Sequence, residues 1–415
     1  MKVIERKYLL PFILVTSLFA LWGLANNMTD TLLAAFRKIM EMSDTQTSFI
    51  QLAFYGAYFC LALPAALFIR KHSYKSGVVL GLMLYALGAI LFLPASRVES
   101  YAFYLTAIYI MAAGCAVLET MANPYIMSMG SPETATRRLN IAQSFNPIGS
   151  IMGILISKYF ILQDISLYSV SGTYAGVGLV LIAIMVVMLF AKMPEGKGDA
   201  ERSKSSSSLS SSSSSSSLSG SSSFSATFKR LMKNRRYAWG VVAQFFYVGA
   251  QIGVWSFTIR LVMKELGYVE AQAATIYLIS IIGFCVSRFV YTWLMKYVTP
   301  ARLLTVGAVL SAVCTLMVVL TGGWVAVIAL VLISVFMSLM FPTIYGIALG
   351  SVSESDHADD TKIGASGLIM AILGGALLTP VQGMVSDSWG INASYLVPAC
   401  CFAVVLAYAL STTKK

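Results

Sequence analysis

A chain of 415 residues in which 58% are hydrophobic and only 11% charged is neither a soluble enzyme nor a disordered segment. The net charge of +11 needs no nucleic acid, because basic loops facing anionic lipid account for it. Composition therefore gives a polytopic membrane protein, and the lengths of its apolar runs make it all-α.

Apolar runs of roughly 18 residues or more, enough to cross a bilayer, recur along almost the whole length. They fall near 8–36, 47–69, 77–96, 101–129, 139–161, 170–191, 237–261, 271–295, 303–321, 324–350, 363–385 and 393–411, which predicts twelve transmembrane helices. Backbone groups in hydrocarbon must bond within their own span, and these runs are far too long for strands. The first is too long and too well embedded in the pattern to be a cleaved signal peptide.

In the first span Trp22, Asn26 and Asp30 are four apart and Asn27 lies three before Asp30, so they share one side of the helix. Asp30 lies towards the outer end, where it either exchanges protons or pairs with Arg37 or Lys38. The fourth span, 101–129, carries Glu119 near its middle and Asn123 four residues on. Unpaired charge is costly in hydrocarbon, so such an acid faces a bundle interior or a wet cavity. Pro124 predicts a kink just below. In the fifth span Gln143 and Asn146 are three apart, ahead of Pro147 and Gly149.

Between the sixth and seventh spans the composition changes to PEGKGDAERSKSSSSLSSSSSSSSLSGSSSFSATF, residues 194–228. This low-complexity tract cannot bury a core and is expected as flexible coil. The cluster Lys229, Arg230, Lys233, Arg235 and Arg236 reads as a surface anchor for the seventh helix. The expected organisation is a six-helix bundle over 1–193, a linker over 194–236 and a second six-helix bundle over 237–415. The seventh span presents Gln244, Tyr247, Gln251 and Trp255 at helical spacing; Trp255 also suits an interface belt. Arg288 in the eighth span is compatible with snorkelling to the surface or with lining a cavity.

The halves echo each other: the proline-kinked fourth span (NPYIMSMG) and the tenth (FPTIYGIALG) are each followed by a hydrophilic loop and a glycine-studded helix. Six-plus-six duplication marks rocker-type transporters with substrate at the midplane. Most of the 29 Lys and Arg residues fall on one side, in the termini, the linker and the loops at Arg70 to Lys75, Arg137 and Arg138, Lys296 to Arg302, and Lys362. The positive-inside rule places that side, with both termini, in the cytoplasm, and the expected location is a bacterial inner membrane. The six cysteines fall inside spans without metal-like spacing, so neither a metal site nor a disulfide framework is expected. No cofactor is expected.

Amides exchange hydrogen bonds without carrying charge, and aromatic faces stack on a pyranose ring, so these faces suit a neutral polyhydroxylated ligand. For each amide the alternative is bonding between helices. Loss of water disfavours an ionised carboxyl, so protonation of Asp30 or Glu119 becomes a switch as the cavity fills and empties.

The blocks LFALWGLANNMTDTLL (18–33), FIQLAFYGAYF (49–59), LETMANPYI (118–126), RLNIAQSFNPIGSI (138–151) and AQFFYVGAQIGVWSFTIR (243–260) make the chain resemble the L-fucose:proton symporters of the major facilitator superfamily. That resemblance implies proton-coupled sugar uptake by alternating access. It implies that the external carboxylate falls on Asp30, the central one on Glu119, and sugar-cavity residues on Gln143, Asn146, Trp255 and Phe284. With the helical faces, the expected substrate-binding set is Asn26, Asn27, Asn123, Gln143, Asn146, Gln251, Trp255 and Phe284. The chain departs from the family at Thr29 and at Phe341, where the symporter has asparagine and tyrosine. The expected partners are a small sugar, a proton and the lipid bilayer, with no nucleic acid and no obligate protein. The rivals are a sodium-coupled or uncoupled hexose transporter on the same scaffold, a non-transporting sugar sensor and an efflux antiporter. An enzyme is disfavoured, since no nucleophile–base pair, phosphate loop or metal cluster is evident.

Overall fold

The computed structural model describes residues 3–5, 8–40, 44–161, 166–191, 193, 224–353 and 358–413. Eleven helices among them are long and apolar enough to cross a membrane, and the first, Leu9–Ile39, completes the expected twelve. The second to sixth spans are Asp44–Lys71, Tyr74–Ile90 continued by Phe92–Val98, Tyr101–Ser128, Ala135–Gln143 with Asn146–Ile156, and Leu167–Phe190. The seventh to ninth are Arg235–Leu266, Glu270–Leu294 and Pro300–Leu320. The tenth is Gly323–Met337 with Met340–Ser353, the eleventh Ala358–Met370 with Leu373–Trp389, and the twelfth Ile391–Ser394 with Leu396–Thr413.

Polar residues at the ends satisfy the orphan amides of the first turn. Ser73 accepts from Ser76 N, Ser166 from Ser169 N, and Asn234 from the amides of Arg236 and Tyr237. The prolines sit differently in the spans. Tyr101–Ser128 runs through Pro124 as one helix. In the fifth and tenth spans the helix breaks before the proline, at residues 144–145 and 338–339, so that Pro147 and Pro342 sit in the first turn of the following piece. A proline there forfeits no intrahelical bond, because first-turn amides have no partner in any case.

The packing repeats between halves. The first span packs on the fifth, the second on the fourth, and the third on the fourth and sixth; equivalently, the seventh packs on the eleventh, the eighth on the tenth, and the ninth on the tenth and twelfth. The first of these contacts is made backbone to backbone, since a Cβ on Gly149 would lie 1.7 Å from the Ala20 carbonyl oxygen. Its counterpart is Gly374, where a Cβ would lie 2.0 Å from the Phe245 carbonyl oxygen. Small residues are what allow such approach in membranes, where the hydrophobic effect does not drive helices together.

One expectation is corrected. The serine-rich tract was expected as coil to residue 228, but its last residues open an amphipathic helix, Phe224–Lys233. Thr227 and Leu231 are buried, and Arg230 grips Asp360 at the start of the eleventh span through Nε to Oδ2 at 2.9 Å and Nη2 to Oδ1 at 2.6 Å. Residues 194–223 lie outside the described residues.

The halves meet at the end of the bundle that carries the linker helix. There Asn140 Nδ2 donates to Thr343 Oγ1 at 3.3 Å, the hydroxyls of Ser144 and Thr292 lie 3.4 Å apart, and Lys362 Nζ donates to the Ile69 carbonyl at 3.4 Å. Gly346 lies against Thr136, whose Cγ2 a Cβ would meet at 2.8 Å.

Candidate functional site: a cavity between the halves

Above this closure lies a cavity walled by both halves. Aromatic rings form two of its sides. Trp22 and Tyr58 stack with centroids 6.4 Å apart and an interplanar angle of 20°, beside Phe54 and Tyr55. Opposite, Trp255 and Phe284 meet edge to face at 5.0 Å, and the Trp255 indole N–H donates to Ser334 Oγ at 3.3 Å. Phe341 joins the two sides, edge-on to Trp22 at 6.5 Å. Edge-to-face and offset stacks hold such rings rigidly.

Polar groups enter from named backbone positions. Asn146 lies directly after the break in the fifth span, and its Nδ2 donates to the Phe19 carbonyl at 3.2 Å. Asn27 and Ser150 line the same side, and Gln251 faces them from the seventh span. Gln143 Nε2 donates to Asn123 Oδ1 at 3.0 Å. Asn123 is fully buried behind the lining.

Arg288 is buried to 3% exposure and lines the cavity, so it does not snorkel. Its Nε donates to the Ser338 carbonyl at 2.7 Å and its Nη1 to the Gln143 carbonyl at 2.9 Å, while the guanidinium lies 4.6 Å from the Phe284 centroid. Both carbonyls stand where a broken span ends. Non-helical backbone survives at membrane depth only where protein or cavity water satisfies it. The guanidinium does so here, and its charge meets the negative ends of two helix dipoles, one from each half.

Glu119 stands apart from the lining. It is 1% exposed, and neither carboxylate oxygen has a hydrogen-bond partner among the described residues. Tyr58 and Tyr345 are within electrostatic reach. Asn123, one turn further along the same helix, carries the bond to Gln143. The path from the acid to the cavity is thus Glu119, Asn123, Gln143.

Of the expected site residues, Asn27, Gln143, Asn146, Gln251, Trp255 and Phe284 line one cavity, with Asn123 and Glu119 behind it. The side chains of Asn26 and Asp30 lie outside the described residues. Two members of the expected seventh-span face do not reach the cavity. Gln244 is fully buried, and Tyr247 donates to the Met337 carbonyl at 3.1 Å. Gln244 shares the angular face of Gln251 but lies seven residues, about 10 Å, nearer the linker end. The sequence reading also passed over the second-span aromatics Phe54, Tyr55 and Tyr58. Their spacing of one and four residues was the signal.

The sequence profile of the Major Facilitator Superfamily matches residues 12–359. The chain belongs to this superfamily. Among curated major facilitators it is 39% identical to the L-fucose-proton symporter of Haemophilus influenzae, over 100% of this chain and 99% of the relative. It is 36% identical to the L-fucose-proton symporter of Escherichia coli strain K12, over 98% and 93%. Its fold superposes on the crystal structure of FucP, a major facilitator in the outward conformation, with a TM-score of 0.86 at 34% identity, covering 99% of this chain and 100% of that one.

Proposed function

We propose that this major facilitator carries L-fucose, or a related hexose or pentose, into the cell together with protons by alternating access. What supports the sugar is a cavity that combines amides with flat aromatic walls, and the likeness to the two L-fucose-proton symporters above. Coupling to protons rests on one observation above all: Glu119 is buried and, among the described residues, neither of its oxygens has a hydrogen-bond partner. An ionised carboxylate in that position would be prohibitively costly, so the form that fits this conformation carries a proton. In this reading Asp30 exchanges protons with the outside.

The residues then take distinct roles. Gln143, Asn146, Gln251, Asn27 and Asn26 hold sugar hydroxyls, while Trp255 and Phe284 give the ring its apolar platform. Asn123 transmits occupancy from Gln143 to Glu119. Bundles 1–193 and 237–415 rock about the cavity, with 194–236 as their tether. The basic linker end faces the cytoplasm of a bacterial inner membrane, as do both termini, so the conformation closed at that end is outward-facing. Release inward requires the Asn140–Thr343 and Arg288–Gln143 bonds to part, and Glu119 then gives up its proton to cytoplasmic water. At 100 mV one inward proton supplies about 2.3 kcal/mol, roughly fiftyfold accumulation.

Uptake of radiolabelled L-fucose, galactose, glucose and xylose into sodium-free vesicles with an imposed pH gradient tests this reading. The expected outcome is concentrative uptake of L-fucose or a near relative that collapses with the gradient. Uptake that needs sodium, or that only equilibrates, supports the rival hexose carriers instead.

A further inference from the structure

A second, larger cavity lies on the flank of the bundle at the linker end. It has a volume of about 510 Å³ and walls of Phe59, Leu63, Phe228, Val241, Phe245 and Met370, among others. Among the described residues the polar side chains at its surface are spent: the Tyr237 hydroxyl donates to the Gly364 carbonyl at 2.8 Å and the Ser366 hydroxyl to the Ile363 carbonyl at 2.7 Å. A polar solute finds nothing to bond there. The seventh-span wall runs from Tyr237 to Phe246, a rise of about 14 Å, close to the depth of one leaflet of a hydrocarbon core about 30 Å thick.

Basic residues flank the crevice walls along the chain. Each cation adjoins a wall residue in sequence: Lys229 follows Phe228, Lys233 follows Met232, and Arg236 precedes Tyr237. Along Phe224–Lys233, the residues Phe224, Phe228, Leu231 and Met232 take one face and Lys229 and Lys233 the other. Lys229 and Lys233 are exposed, whereas Arg230 is committed to Asp360. An apolar face beneath a lysine face is how a helix lies in a membrane interface, and here the apolar face roofs a crevice.

We propose that this crevice is a binding site for one anionic diacyl phospholipid, with an acyl chain along the seventh span and the phosphate against Lys229, Lys233 and Arg236. The walls come from both halves, Phe59 and Leu63 from the first and the remainder from the linker helix and the second. One chain therefore touches both sides of the moving interface. The site does not depend on which sugar is carried or on proton coupling.

Native mass spectrometry of the full chain in detergent, titrated with phosphatidylglycerol or with phosphatidylcholine of the same acyl chains, tests the proposal. One phosphatidylglycerol per protein should be retained roughly tenfold more tightly than phosphatidylcholine, given the attraction of each lysine for an anionic headgroup. Lys229→Gln/Lys233→Gln should erase that preference and Lys229→Arg/Lys233→Arg should keep it. Val242→Trp, which fills the crevice from an exposed position, should weaken both lipids. Equal retention of the two lipids, displacement of phosphatidylglycerol by glycerol phosphate at matched concentration, or indifference to all three variants would each overturn it.

Discussion

Glu119 and Arg288, two of the charged side chains buried in this bundle, are treated in opposite ways. Arg288 is surrounded by partners: two carbonyls released by breaks in the fifth and tenth spans, and the face of Phe284. Glu119 is as deeply buried, and among the described residues neither of its oxygens meets a hydrogen-bond donor in bonding geometry. A charge meant to be permanent is solvated by fixed dipoles, whereas a group left without them fits only when neutral. On the function proposed above, the difference separates a structural cation at the meeting of the halves from an acid that takes and loses a proton.

The sharpest way to break the comparison is to neutralise the acid. Glu119→Gln should abolish pH-driven accumulation, leaving counterflow exchange of sugar at near wild-type rates; a preserved concentration gradient would show that the acid is structural. Arg288→Lys probes the other member. A lysine presents a point charge in place of a planar fork, and loss of one charged hydrogen bond costs about 1.5–3 kcal/mol. Net transport should fall by roughly ten- to a hundredfold, with the protein still folded by circular dichroism. Wild-type rates would mean that the bond to Gln143 plays no part in closing the halves.

Gln143→Ala removes the group that joins cavity to acid. Sugar affinity should weaken roughly tenfold, as expected for a lost hydrogen bond with its partner left unpaired, and the pH dependence of uptake should flatten with it. A change in affinity with an unaltered pH profile would cut Asn123 and Gln143 out of the coupling path. A smaller effect is expected of Trp255→Phe, which keeps the edge-to-face contact with Phe284 and loses only the bond to Ser334. The expected loss of affinity in a binding titration is about two- to fivefold. Smallest of all, removing ten serines from the linker should leave the transport rate unchanged within error, and abolished transport at normal expression would show that the tract does more than tether.

Much of this was legible in the residues. Hydropathy gave all twelve spans because length and apolarity are what a bilayer demands, and the i, i+3, i+4 spacing grouped Gln143 with Asn146 and Gln251 with Trp255. Depth was less legible. Periodicity assigns an angle around a helix and not a height along the membrane, which is why Gln244 shares the face of Gln251 and still misses the cavity. The sequence left Arg288 between snorkelling and lining the cavity, since its partners are backbone carbonyls exposed by breaks that lie ahead of Pro147 and Pro342. The helix at Phe224–Lys233 was hidden by the serine tract that precedes it, although its alternation of apolar and lysine faces was present in the sequence.

The claim on which everything rests is that sugar and proton cross together through the protonation of Glu119. Adding L-fucose to weakly buffered, de-energised vesicles and following external pH reads this directly. The account predicts alkalinisation of the medium on sugar addition with the wild-type protein and none with Glu119→Gln; an equal pH change in both, or sugar influx without any pH change in the wild type, would contradict it.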